Sequence, residues 1–263
     1  MKQAKEAIDF LIFSYFGSKP TDQAEQILDR VIERAYRDAS SRVLSLKDDV
    51  RDEKEGPKVK AKDKICEYMG KLKELHESPG FMYTERIHTP LCEGIEKEFC
   101  ERGEGIYKLD KKGKSRRTFT YGIAQKWINM TMKYIYLLNK LFDEFGDEEG
   151  RRQFCGNYGK PVSGIAKDLH VPLDNYILGA AFEKLGMQGC ITKNGQQGCI
   201  TKKGQKEPQY YIVSNGKEYP WSRIPNERIY NCFRIKLESN IKVKNSGVYP
   251  IDWENTAWLE QAK

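Results

Sequence analysis

The chain has 263 residues, 39% of them hydrophobic and 32% charged, with a formal net charge of +7. That length is ample for a buried core. No apolar run approaches the roughly 18 residues a membrane-spanning helix needs, so a soluble protein with a heavily solvated surface is expected.

The opening "MKQAKEAIDFLIFSYFG" carries Glu6 and Asp9 inside its apolar part, and no small-residue cleavage pattern follows it. It reads as an amphipathic first helix and not as a signal peptide, which points to a cytoplasmic protein. A second helix follows, with Ala24, Ile27, Leu28, Val31, Ile32, Ala35 and Ala39 recurring at spacings of three and four. Residues 1–48 thus form an N-terminal helical part. "KDDVRDEKEGPKVKAKD" then loses the periodicity, mixes charges and contains Gly-Pro. It predicts an exposed linker, placed at 49–62.

A helix is expected over Ile65–Leu75, ended by Ser78-Pro79-Gly80, and a short one in "LCEGIEKEFC". The polar, basic loop "KLDKKGKSRR" (Lys108 to Arg117) leads into "GIAQKWINMTMKYIYLLNK". This helix is apolar on nearly all sides and belongs in the middle of a domain. Gln125, Lys126 and Asn129 are the polar exceptions at its start, and the acidic "DEFGDEEG" follows its end. A glycine-rich connection, "CGNYGKPVSG", leads to "LHVPLDNYILGAAFEKLG", where Asp174 is placed to cap a helix over Asn175–Leu185 that stops at Gly186. Residues 63–186 read as one helical domain.

Beyond Gly186 the texture changes. "QGCITKNGQ" is followed at once by "QGCITKKGQ", a tandem duplication whose β-branched pairs and Asn-Gly or Lys-Gly steps predict a small hairpin. "QYYIV" reads as a strand, Asn215-Gly216 as a turn and Pro225–Leu237 as a helix, with an aromatic ending that docks on the body. Residues 187–263 are expected to form a small α+β part packing on the helices. The fold class is mainly α, a bundle-like helical body with a small hairpin-containing C-terminal part.

Seven cysteines without a C-x-x-C pair, and only three histidines, predict reduced thiols, no metal site and no cofactor. There is no GxxxxGK loop, no GxGxxG after a strand and no GxSxG elbow. Arg86 lies only two residues before His88, and no acidic cluster has metal-ligand spacing, which argues against a nuclease.

Two segments taken together, "GIAQKWIN" and "VPLDNYIL", resemble the signature of the helix-hairpin-helix DNA glycosylases, in which a Gly-x-Gly-x-Lys turn opens one helix and an apolar-Pro-apolar-Asp segment opens another. Gly122, Ile123, Lys126 and Asn129 match the first part, and Val171, Pro172, Leu173, Asp174 and Ile177 the second. Ala124 stands where the second glycine is usual, and the insertion around the acidic segment lengthens the link between lysine and aspartate. The resemblance implies a helix-hairpin-helix element and a monomer that acts on duplex DNA containing a damaged or modified base.

The residue types suit that chemistry. Amides of Gly122 and Ala124 at a helix N-terminus would hold a phosphate, and Lys114, Arg116 and Arg117 would add affinity that weakens with salt. A base inside a duplex must be flipped into a pocket before it is attacked. Trp127, Tyr176 and Trp221 are candidates for the pocket walls, and His170 for a hydrogen bond to the base. The resemblance implies Lys126 as the nucleophile that forms a Schiff base and Asp174 as its activator. Lyase chemistry, repair of an oxidised base and attack on a modified viral base all stay open.

Each residue also has a plainer reading: Asp174 as an N-cap, Lys126 as a snorkelling lysine, the aromatics as core, His170 as structural. The alternative function is a non-catalytic DNA- or RNA-binding module using the same surface. A third is a protein with no nucleic-acid role.

Overall fold

The structure, a computed structural model, describes residues 2–40, 56–101, 107–109, 115–117, 119–145, 148–188, 197–204, 208–214 and 216–261. It is mainly helical, with a small three-stranded antiparallel sheet toward the C-terminus. The axis of the molecule is α5 (Tyr121–Phe145), the apolar helix expected from the sequence, and it is buried around most of its circumference. Helix α1 (Lys2–Phe16) precedes α2 (Ala24–Ser40), which lies along α5. The whole apolar series of α2 from Ala24 to Ala39 is buried, and the Trp127 indole N–H of α5 donates to the Ile32 carbonyl at 3.0 Å.

Helix α3 spans Pro57–Leu75, which corrects the linker placed at 49–62. Residues 49–55 lie outside the described residues, but 57–62 are helical and Ala61 is buried. Proline fits the first helical position because its φ is preset and its missing N–H would be unpaired there anyway. The charges that suggested solvated chain find partners on α2, Lys58 on Glu33 at 2.8 Å and Lys62 on Asp29 at 2.6 Å. A π-helical turn, Thr84–His88, runs into α4 (Thr89–Glu101).

The basic loop contains a two-stranded antiparallel ribbon, β1 (Tyr107–Leu109) against β2 (Ser115–Arg117). Among the described residues this ribbon, and not a helix, is the element immediately before α5.

After α5, the glycine-rich connection is itself helical: α6 (Glu149–Phe154), a π turn (Cys155–Gly159) and α7 (Lys160–Gly164). Close approach explains the glycine at 159, because a Cβ there would lie 2.2 Å from the Asn139 side-chain oxygen of α5. Arg151 of α6 is buried against Asp9 of α1 at 2.7 Å and Glu148 at 3.2 Å, and locks the first helix to this segment.

Helix α8 (Asn175–Glu183) starts at the expected cap. The sheet follows, with β3 (Gln197–Lys203) paired to β4 (Gln209–Ser214), and β4 to β5 (Lys217–Tyr219) through a turn at Gly216, whose φ is +72°. The second copy of the duplication forms β3. Most of the first lies outside the described residues, so a hairpin between the copies does too. The Asn175 side chain ties α8 to the sheet, donating to Pro208 O at 3.1 Å and accepting from Tyr210 N–H at 3.0 Å. A 3-10 turn (Trp221–Arg223), α9 (Glu227–Lys244) and α10 (Pro250–Gln261) complete the chain. Buried residues from 1–48, 63–186 and 187–263 belong to one continuous cluster. None of the helices is long and apolar enough to cross a membrane, among the described residues.

Candidate functional site

A cleft of about 660 Å³ opens between α1, α2, α5 and α10, with the start of α8 and the 221–223 turn closing one end. One face of α5 borders it at helical spacing, from Lys126 through Met130, Lys133, Tyr134 and Leu137 to Leu138 and Leu141. Aromatic side chains form much of the wall, including Tyr134, Tyr176, Trp221 and Trp258.

Lys126 and Asp174, 48 residues apart in sequence, meet here. Their Nζ and Oδ2 atoms are 3.4 Å apart, with side chains 10% and 14% exposed. Two local facts hold the pair in place. Asp174 is the N-cap of α8, its Oδ1 accepting the Ile177 N–H at 3.0 Å, so the carboxylate has one oxygen fixed and one directed at the lysine. Lys126 also lies over the Trp221 ring, 4.5 Å from its centroid, a cation–π contact that orients the ammonium.

The turn bearing Trp221 is seated by Gly122. The Gly122 N–H donates to Ile224 O at 3.0 Å, and a Cβ at 122 would come within 2.0 Å of Trp221 O. This corrects the phosphate role expected of Gly122 and Ala124. Both are buried, and their amides are spent on Ile224 O and Thr120 O. Glycine serves here to let a neighbouring turn approach the helix. Lys114 lies outside the described residues; Arg116 and Arg117 are placed on β2.

The four base-pocket candidates divide evenly. Tyr176 and Trp221 line the cleft. Trp127 is fully buried on the α2 side, edge-on to Tyr36, and belongs to the core. His170 is also sealed away from the cleft. Its ring bonds Thr84 Oγ1 at 2.8 Å and the Tyr230 hydroxyl at 3.2 Å, and lies 4.1 Å from the His88 ring. Burial drives the His170 imidazole well below the ordinary histidine range, assisted by His88 and Arg234.

Two further charge clusters line the same cleft. Lys133 contacts Glu254 of α10. Arg34 pairs with Asp38 at 3.2 Å, and Asp38 also accepts from the Tyr134 hydroxyl, which lies 2.6 Å from that of Tyr15. Lysine and arginine therefore equal aspartate and glutamate along the lining, three against three. Lys133 was visible in sequence as a second lysine two turns from Lys126 on a greasy helix. Glu254 sits on a distant element that no local spacing marks, whereas Arg34 and Asp38 are an i,i+4 pair on α2 whose place at the cleft is set only by the fold. No group of three or more histidine, cysteine or acidic residues suited to a metal occurs among the described residues.

Chemically, the cleft offers a fixed amine beside a carboxylate, flat walls for a heteroaromatic ring, and a largely apolar floor. No known family, curated protein or solved structure matches the chain.

Proposed function

We propose that the protein is a DNA glycosylase-like enzyme that cleaves the N-glycosidic bond of a damaged or modified base flipped into this cleft. The observation that carries the reading is the meeting of Lys126 and Asp174 at 3.4 Å in a cavity walled by Trp221 and Tyr176. The cavity volume suits a nucleoside-sized ligand. Lys126 passes a proton to Asp174, and the freed amine attacks C1′ of the sugar. The C1′–N bond breaks, and its electron pair leaves on the base, which takes up a proton. Opening of the sugar ring then gives a Schiff base on Lys126. Sequence-independent attraction to the duplex comes from the basic segment ahead of α5.

Borohydride trapping tests this on duplexes carrying single hypoxanthine, 8-oxoguanine, 7-methylguanine or uracil bases. The expected result is a covalent protein–DNA adduct that Lys126→Ala abolishes while most of the binding remains. A non-catalytic binding module is the second reading, favoured by the structural duty of Asp174 as the α8 cap. Salt-sensitive duplex binding with neither abasic sites nor adduct from any of these bases would establish it and overturn the enzyme.

A further inference from the structure

Lys133 lies seven residues beyond Lys126 on the cleft face of α5, about 10 Å of helix rise away, a span comparable to a nucleoside. Its ammonium touches Oε2 of Glu254, and both side chains line the cavity that holds Lys126 and Asp174. Glu254 is only 1% exposed. Desolvation pushes its carboxyl above the ordinary glutamate range against the opposing pull of Lys133, and the Asp174 charge adds to the rise while Lys126 lowers it. Burial and the nearby Asp174 charge favour the neutral carboxyl, and the Lys133 ammonium stands where it can stabilise the carboxylate that proton loss leaves. Both groups line the cavity, an arrangement suited to giving a proton to a ligand held there.

We infer that Glu254, held by Lys133, is the general acid that protonates the base as it leaves the sugar positioned at Lys126 and Asp174. The inference rests on the glycosylase reading of the cleft and adds a substrate class, neutral purines that leave poorly until a ring nitrogen is protonated. As the C1′–N bond breaks, its electron pair goes to the base, and a base nitrogen takes the proton from the Glu254 carboxyl. The carboxylate left behind is stabilised by the Lys133 ammonium, and C1′ gains the electron pair of the Lys126 amine. Glu254 is reprotonated from solvent after the base departs.

The test compares two leaving groups in otherwise identical duplexes. Hypoxanthine and 8-oxoguanine are neutral and need the proton, whereas 7-methylguanine already carries a positive charge and leaves without one. Wild type should release both kinds. Glu254→Gln should lose ~100-fold or more on the neutral purines, the scale of general acid catalysis, and only a few-fold on 7-methylguanine. Equal losses on both, with the Lys126 adduct still trapped, would overturn the role of Glu254 alone. Absence of base release and adduct in wild type on every duplex would overturn the glycosylase reading and this inference together. Should Glu254→Gln fail to fold, the double variant Lys133→Met, Glu254→Gln removes both charges at similar volume and is measured in the same way, with the same two outcomes.

Discussion

Acid should weaken this fold through two buried histidines. His88 and His170 lie against each other with ring centroids 4.1 Å apart, His88 stacked on Tyr230 and His170 edge-on to Tyr83. Burial lowers the His88 imidazole to about 3, with Arg234 contributing, and takes His170 in the same direction. Below the unfolded value near 6.5 the unfolded chain binds protons that the fold refuses. Stability is therefore intact above that pH and is lost as the pH falls toward the folded value. For His88 alone, a step from pH 7 to pH 5 removes about 2 kcal/mol, at roughly 1.4 kcal/mol per unit below the unfolded pKa. His170 adds a loss of the same sign. The assay is urea denaturation at the two pH values for wild type and His88→Gln, comparing the change within each protein so that lost packing cancels. The variant should lose about 2 kcal/mol less than wild type over the same step. Identical losses would show that His88 is not held neutral by its surroundings and would refute the argument.

Other substitutions probe the site and its supports. Gly122→Ala places a Cβ 2.0 Å from Trp221 O; the clash should cost about 1–3 kcal/mol in denaturant unfolding and shift the Trp221 turn, seen as altered tryptophan fluorescence. Asp174→Asn keeps an oxygen for the Ile177 N–H but leaves the largely buried Lys126 ammonium without its carboxylate, whereas Asp174→Ala loses the cap as well and should be less stable than the Asn variant by about 1 kcal/mol. Both should abolish trapping by borohydride, and an Asn variant that still forms the adduct would remove Asp174 from the chemistry. Arg151→Met strands Asp9 and Glu148 and should lower stability by about 3 kcal/mol or more in the same unfolding experiment; an unchanged midpoint would mean that this buried contact contributes nothing net.

Local chemistry made the helices legible. The spacing of three and four in α2, the uniform greasiness of α5 and the Asp174 cap of α8 each state their structure within one or two turns of chain, and each is observed. Where composition stood in for geometry, the reading went astray. Pro57 and its lysines looked like linker because their acidic partners lie on another helix, and the glycines at 156, 159 and 164 looked like loop although at least Gly159 serves close packing. In the cleft, Lys126, Asp174, Tyr176 and Trp221 were identified from sequence and converge. Gly122 was singled out correctly as special but for the wrong neighbour, a phosphate instead of the Trp221 turn. Trp127 and His170 have the residue types of a base pocket, yet which face of an all-apolar helix or loop meets the cleft is decided by tertiary packing. Lys133–Glu254 is a pairing across elements, and Arg34–Asp38, an i,i+4 pair legible within α2, is brought to the same wall only by the fold.

Both cleft lysines ride on the helix that the rest of the molecule is wrapped around, so neither can be moved without dismantling the core. The opposite bank is built from α1 and α10, the peripheral helices, with Phe10, Leu11 and Leu259 turned largely to water. The molecule is thus divided into an anvil and a margin. Reactive groups keep their geometry because they belong to the anvil, while the margin sets the width of the opening through which a guest would pass.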